Sequence, residues 1–354
     1  MGGNGRDRFS FMDISGARFD MRIYEGTFRT LDDMVNDVNA RLQNRGETEF
    51  FEYNGRRAAI TELDFADISG WALSVELARR PNINITPMLI ALSYGPAGRD
   101  DLDLLHMSAL DSIAPSVSEH RYPGPIMQFG FPRGEAIRVP LALPGLSATI
   151  HENDAEAAQV LIEREFAILS RHLTMDDWQE AWARYYRMIY RDSWTRIADA
   201  AFQLERYWSL NIINQQADSA DSSAEADGEG GYVNRIFAEK ALAWVQGFEY
   251  ERHTTDSDFI NLVTAVTEGR GDCDNRAMLW AIILAQANIR SAIMVSRNHS
   301  HAMGLADLPG RGARFEAGGT RWLVAETTAN VGIGLIDQEK SDIESWYGIL
   351  FEDW

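Results

Sequence analysis

The stretch "EGRGDCDNRAMLWAII", residues 268–283, holds the one cysteine of the chain. Glycines at 269 and 271 forbid a regular element ahead of Asp272. Beyond it, Ala277, Met278, Leu279, Trp280, Ala281, Ile282, Ile283 and Leu284 give a helix apolar nearly all round, which is the pattern of a buried helix. Asp272 is a natural N-cap, so Cys273 falls in the first turn. There the free backbone N–H groups and the positive end of the helix dipole favour a thiolate, and a lowered thiol pKa is expected. A small buried hydrophobe could stand anywhere along such a helix; a nucleophile needs this position.

A thiolate nucleophile needs a base that also returns a proton to the leaving group. In "NHSHAMGLADL" (298–308), His301, Met303 and Leu305 alternate onto one face of a strand. A lone histidine on an apolar face is more often a satisfied core residue. The cysteine at a helix start 28 residues earlier makes His301 the candidate base. The base needs an acceptor on its other ring nitrogen. In "TRWLVAETTAN" (320–330), Trp322, Val324 and Glu326 alternate, and antiparallel pairing with the histidine strand would set Glu326 beside His301. A solvated strand-end charge is the bland alternative for Glu326. For the oxyanion, the Cys273 N–H is the first donor, with Gln246 or the Trp244 indole in "AWVQGF" as candidates for the second.

Taken in order, "GRGDCDNRAMLWAIILAQANIRSAIMV", "SHAMGLAD" and "RWLVAETTA" resemble the transglutaminase-like family of papain-fold thiol enzymes, over roughly residues 233–337. The upstream "ALAWVQGFEYERHTTDSDF" is similar to the helix and extended Tyr segment that precede the family's cysteine. The resemblance implies a Cys-bearing helix packed on an antiparallel sheet, with Cys273 as nucleophile, His301 as base and acid, and Glu326 as orienter. Glu326 stands where the family usually carries Asp, and "ETTA" lacks the usual proline. The implied activity is acyl transfer through a thioester on a protein or peptide substrate, with hydrolysis favoured because nothing marks an amine site. Two other readings stand beside it: an inert scaffold or binding module, and a metal site built from His299, His301, Cys273 and Glu326, ranked last. No cofactor is expected. Arylamine acyltransferases share the residue order but carry a different cysteine context, and the Cys-pair zinc site of a peptide glycanase needs more than one cysteine.

Around this core the fold class reads as α+β. Residues 1–150 read as a β-rich accessory domain and 151–354 as the transglutaminase-like domain. The second comprises a helical lead-in over 151–213 and an acidic insertion, "NQQADSADSSAEADGEGG" (214–231), whose composition predicts disorder. In the first, "TLDDMVNDVNARLQNRG" (30–46) predicts a helix capped by Thr30 and stopped at Gly46, and Asn54-Gly55 predicts a hairpin. "WALSVEL" (71–77) and "PMLIALSY" (87–94) read as strands, and "HRYPGPIMQFGFPRG" (120–134) as an irregular crossover. In the lead-in, Trp178, Trp182, Tyr185 and Ile189 recur at helical spacing behind a Thr174 cap; such a stripe packs a core more often than it lines a ligand.

A formal charge of −20 argues against nucleic acid and anionic membranes as partners. One cysteine excludes an internal disulfide and a multi-cysteine zinc site. Lys240 and Lys340 are the only lysines, every other basic residue being arginine. No eighteen-residue apolar window is present and the opening "MGGNGRDRFSFMD" has no apolar signal core, so the expectation is a cytoplasmic protein as the chain is given, or an exported one if a leader was trimmed. Oligomeric state leaves no mark in the sequence.

Overall fold

A computed structural model describes residues 2–79, 85–218, 229–252 and 257–351, without the side chains of 214–218, 229 and 230. The chain is mixed α+β with antiparallel sheets and divides into two compact units, Met1–Pro132 and Arg133–Trp354.

The first unit is built on one seven-stranded antiparallel sheet. Its strands are β1 (Gly2–Gly3), β2 (Arg8–Met12), β3 (Arg18–Tyr24), β4 (Thr48–Tyr53), β5 (Arg56–Phe65), β6 (Ile68–Glu76) and β7 (Met88–Pro96), in the order β1-β2-β3-β7-β6-β5-β4. The β4–β5 turn is Asn54-Gly55, both residues at positive φ (48° and 75°), as a two-residue hairpin loop requires. Helix α1 (Leu31–Leu42) carries the expected Thr30 cap, closed reciprocally by Asp33. It stops at Gln43 in the left-handed region, before Gly46 is reached. It covers part of one sheet face through Leu31, Met34 and Val35. On the other face lie α2 (Asp103–Asp111) and α3 (Pro125–Gly130). The segment read as an irregular crossover therefore contains a helix. Pro125 opens it, and Asp111 accepts from the N–H groups of Ile126 (2.9 Å) and Met127 (3.1 Å), a cap supplied from 15 and 16 residues away.

The unit boundary falls after Pro132 and not near residue 150. The hairpin β8–β9 (Ala136–Pro140, Ser147–His151) packs on the helix Ala198–Asp218 of the second unit, with the Thr149 N–H bonded to Asp199 at 2.6 Å. The helices of this unit are α4 (Asp154–His172), α5 (Trp178–Arg196), α6 (Ala198–Asp218), α7 (Glu229–Gln246), α8 (Leu262–Glu268) and α9 (Cys273–Gln286). Asp177, not Thr174, occupies the N-cap of α5. Of the insertion expected to be disordered, 219–228 lie outside the described residues, while its flanks belong to α6 and α7. Among the described residues, no helix is long and apolar enough to cross a membrane.

The sheet of the second unit comprises β10 (Ser291–Ser296), β11 (His301–Ala306), β12 (Arg314–Ala317), β13 (Thr320–Ala325) and β14 (Tyr347–Leu350), all antiparallel in the order β12-β13-β11-β10-β14. Helix α9 packs across β10 and β11. Its close approach depends on Gly304 in β11: a Cβ there would sit 2.4 Å from the Trp280 ring. Trp280 is fully buried, with its indole N–H donated to the Ala238 carbonyl at 3.0 Å.

Candidate active site

The loop before α9 is held on both sides. Gly269 ends α8 in the left-handed region, and Glu249 clasps the loop by accepting from the Gly271 N–H (3.0 Å) while its own N–H donates to the Gly269 carbonyl (2.8 Å). Gly271 lies against Asn275, where a Cβ would be 2.7 Å from the Asn275 Cβ. Asp272 and Asn275 then form a reciprocal capping box: the Asn275 N–H donates to Asp272 Oδ1 (3.0 Å) and the Asp272 N–H to Asn275 Oδ1 (3.2 Å). Buried Arg276 ties the turn down through the carbonyls of Gly271 (3.1 Å) and Phe248 (2.7 Å). Cys273 is therefore the first residue of a rigid helix, as its sequence context predicts, and is 4% exposed.

His301 opens β11 immediately after a turn through Ser300. The β11–β13 register pairs Gly304 with Ala325. Continued, it sets Glu326 across from Met303 and hence diagonal to His301 on the same face. Across a diagonal the longer glutamate reaches: the His301 Nε2 lies 2.9 Å and 3.1 Å from the two Glu326 oxygens. Glu326 also accepts from the Thr328 N–H (2.9 Å), the Thr328 hydroxyl (2.7 Å) and the Lys340 ammonium (3.1 Å). Burial works to raise this carboxyl, but the His301 bond and charge and the two Thr328 donors outweigh it and bring it down to about 2. With Nε2 so occupied, Nδ1 is the ring nitrogen left for proton transfer. The Trp346 ring meets the imidazole edge-on at 6.2 Å.

The thiol and the histidine strand are joined at Ala302, whose backbone N–H points at Cys273 and favours its thiolate. The net effect on the thiol is nevertheless the reverse of the lowering expected for a helix N-terminus. Burial, then the carboxylates of Asp274 and Asp272, push the Cys273 thiol well up. The Cys273 thiol donates toward Asp274 Oδ1 at 3.8 Å. Asp272 and Asp274 are themselves pushed up, by burial first.

Gln246 is not available as an oxyanion donor. Its Nε2 donates to the carbonyls of Glu326 (2.8 Å) and Val331 (2.9 Å), so it braces the chain leaving β13. The Trp244 indole is likewise spent, on Ala142 O at 3.1 Å. The four-residue metal set read from the sequence is not assembled either. His299 sits in the turn before β11, bonded to Asp342 at 2.8 Å and stacked on Trp346, while His301 and Glu326 bond one another. Among the described residues the grouping able to offer ligand atoms to a metal is Asp272, Cys273 and Asp274, within 4.8 Å of one another. Asp272 Oδ1 is already committed to the cap, and two carboxylates with one thiol is not the nitrogen-and-sulfur set of a structural zinc site.

A cavity of about 270 Å³ opens beside Asp274. Trp182 and Tyr185 of the α5 stripe line it with Tyr186, Phe166 and Phe259, so part of that stripe is a wall rather than core alone. Asp274, Lys340, Thr328 and Trp346 escaped the sequence reading. Lysine scarcity is the one signal that could have singled out Lys340.

No protein-family model matches the chain, and no curated protein matches it.

Proposed function

We propose that the second unit is a thiol-dependent acyl-transfer enzyme of the transglutaminase-like kind, hydrolysing an amide bond of a protein or peptide. The observation that carries this reading is the buried His301–Glu326 pair, fixed at 2.9 Å next to the strand residue whose N–H meets Cys273. An idle thiol has no use for a histidine clamped by a carboxylate with three further donors.

In this reading the resting thiol keeps its proton, consistent with its raised pKa. His301 Nδ1 removes it as sulfur adds to the substrate carbonyl carbon, and Glu326 holds the imidazolium that forms. The oxyanion meets the Cys273 N–H, one of the first-turn donors with no intrahelical acceptor. The imidazolium returns the proton to the departing amine as the C–N bond breaks, leaving a thioester on Cys273. Water then attacks the thioester with Nδ1 again as base, releasing a carboxylic acid and the free thiol. The aromatic cavity beside Asp274 suits a side chain of the acyl donor.

The second reading, a binding scaffold with an idle cysteine, draws on the raised thiol and its 4% exposure. 4-Nitrophenyl acetate separates the two. The enzyme reading expects an acetyl adduct on native Cys273 that turns over, with acylation slowed about a hundredfold in His301→Ala. No adduct on the folded protein, or one formed equally fast in His301→Ala, would leave the scaffold reading standing.

A further inference from the structure

The first unit contains a larger hollow, of about 490 Å³, between the end of α1 and the sheet face beneath it. The strand beside it carries little side-chain bulk. On this face β6 presents Gly70 and Ala72 across from Tyr94 and Leu92 of β7. Gly70 has φ 156° and lies so close to β7 that a Cβ would be 2.3 Å from the Ser93 carbonyl. Gly70 and Ala72 are themselves buried and add almost no bulk beside Tyr94 and Leu92, which line the hollow where α1 ends at Leu42. Val38 and Leu42 of α1, Phe65 of β5, and Ile90 and Leu92 of β7 form apolar walls.

The polar groups in this hollow are not equivalent. Asp20 is spoken for by the Tyr94 hydroxyl at 2.6 Å. Asp7 lies outside the lining; its carboxylate feels the charge of Arg22 and accepts from the Asn4 side chain. Arg22 lies over the Tyr24 ring at 4.3 Å, and its Nε is buried with no hydrogen-bond partner among the described residues. A buried donor left unpaired costs free energy that an acceptor would recover. Arg8 stands at the same cavity and adds a second positive charge.

We propose that this hollow binds a small amphipathic carboxylate, its apolar body against α1 and β7 and its carboxylate on Arg22. The volume lies within the range of small-molecule sites, and the combination of apolar walls with one convergent donor is what orients such a ligand. A guanidinium stacked on a ring is held in place to receive an anion. In a chain of net charge −20 the site is a local exception, which disfavours anions bound by general charge attraction alone. This site stands apart from the proposed thiol chemistry and does not depend on it.

Calorimetric titration of the full chain with sodium decanoate, below its micellar concentration, tests the assignment. Saturable uptake at one site is expected, weakened by about tenfold or more in Arg22→Gln through loss of a charge-assisted bond. Leu42→Trp, which fills the hollow from the helix, should abolish uptake while circular dichroism stays unchanged, and it decides the matter if Arg22→Gln fails to fold. Decyltrimethylammonium, with the same tail and the opposite charge, should not bind. Absence of saturable uptake by the parent chain, equal affinity for the cation, or binding unchanged in Leu42→Trp overturns the proposal.

Discussion

Cys273 occupies the position in a helix that ordinarily lowers a thiol pKa, and yet the thiol is pushed up. The dipole of a helix end is worth a few tenths to about one kcal/mol at an exposed site. Burial and two flanking carboxylates oppose it here and win. Removing one of those charges has a definite sign: a neutral neighbour favours the thiolate. In Asp274→Asn the midpoint of the iodoacetamide alkylation rate against pH should move to lower pH, with the rate near neutrality rising about tenfold if the midpoint moves by one pH unit. Because the chain has one cysteine, every adduct reports this residue. An unmoved midpoint would mean that the Asp274 charge takes no part in holding the proton. The position of Cys273 was readable from "GRGDC"; its electrostatics were not, since they depend on how deeply Asp272 and Asp274 are packed, and Tyr186, which bonds Asp274, comes from an element some ninety residues away.

At the scale of elements, the packing of α9 on β11 sets how near the thiol comes to the histidine strand. Gly304 permits it by yielding its side-chain volume to Trp280. Gly304→Ala should force α9 and β11 apart or twist the Trp280 ring, at a cost of about 1–3 kcal/mol typical of overpacking. A thermal melt should show the loss, and acetylation of Cys273 by 4-nitrophenyl acetate should slow beyond what the lowered stability accounts for. A melt identical to that of the parent chain would show that the contact is soft. The elements with local causes were legible in the sequence: the Thr30 cap of α1, the Asn54-Gly55 turn, the Asp272 start of α9, and the alternation that brings His301 to Glu326. Those with distant causes were not. Helix α3 depends on Asp111 as a remote cap, and the unit boundary depends on a hairpin that finds its partner fifty residues on. Gln246 looked like a donor in search of an oxyanion because nothing in "AWVQGF" discloses that two backbone carbonyls already use it.

Over the whole molecule, acids drawn wholly or partly out of water give stability an unusual dependence on pH. Asp272, Asp274 and Glu205 all have raised carboxyl pKa values, with burial the leading cause in each. The native chain therefore keeps protons that the unfolded chain releases, and stability falls as pH rises from the ordinary carboxylate range up through the native values. Glu326 works in the opposite sense: its contribution is present above its unfolded pKa and is lost as pH falls through about 2. The two together place maximal stability on the mildly acidic side. The melting temperature should be higher near pH ~5 than near pH ~8. Added salt should narrow the gap by screening the self-repulsion of a chain at −20. A melting temperature that climbs steadily from the lower pH to the higher would contradict the assignment of these carboxyls.

The Lys340–Glu326 ion pair has a practical side. Amine-directed chemistry, whether coupling to a sensor surface, attachment of a dye, or crosslinking, finds only two lysine side chains on this molecule, and one of them supports the carboxylate that orients His301. A preparation immobilised or labelled through its lysines is thus a mixture in which some copies carry an altered centre. Lys240 is the harmless address of the two, and a Lys340→Arg chain keeps the positive charge beside Glu326 while sparing that centre from the reagent.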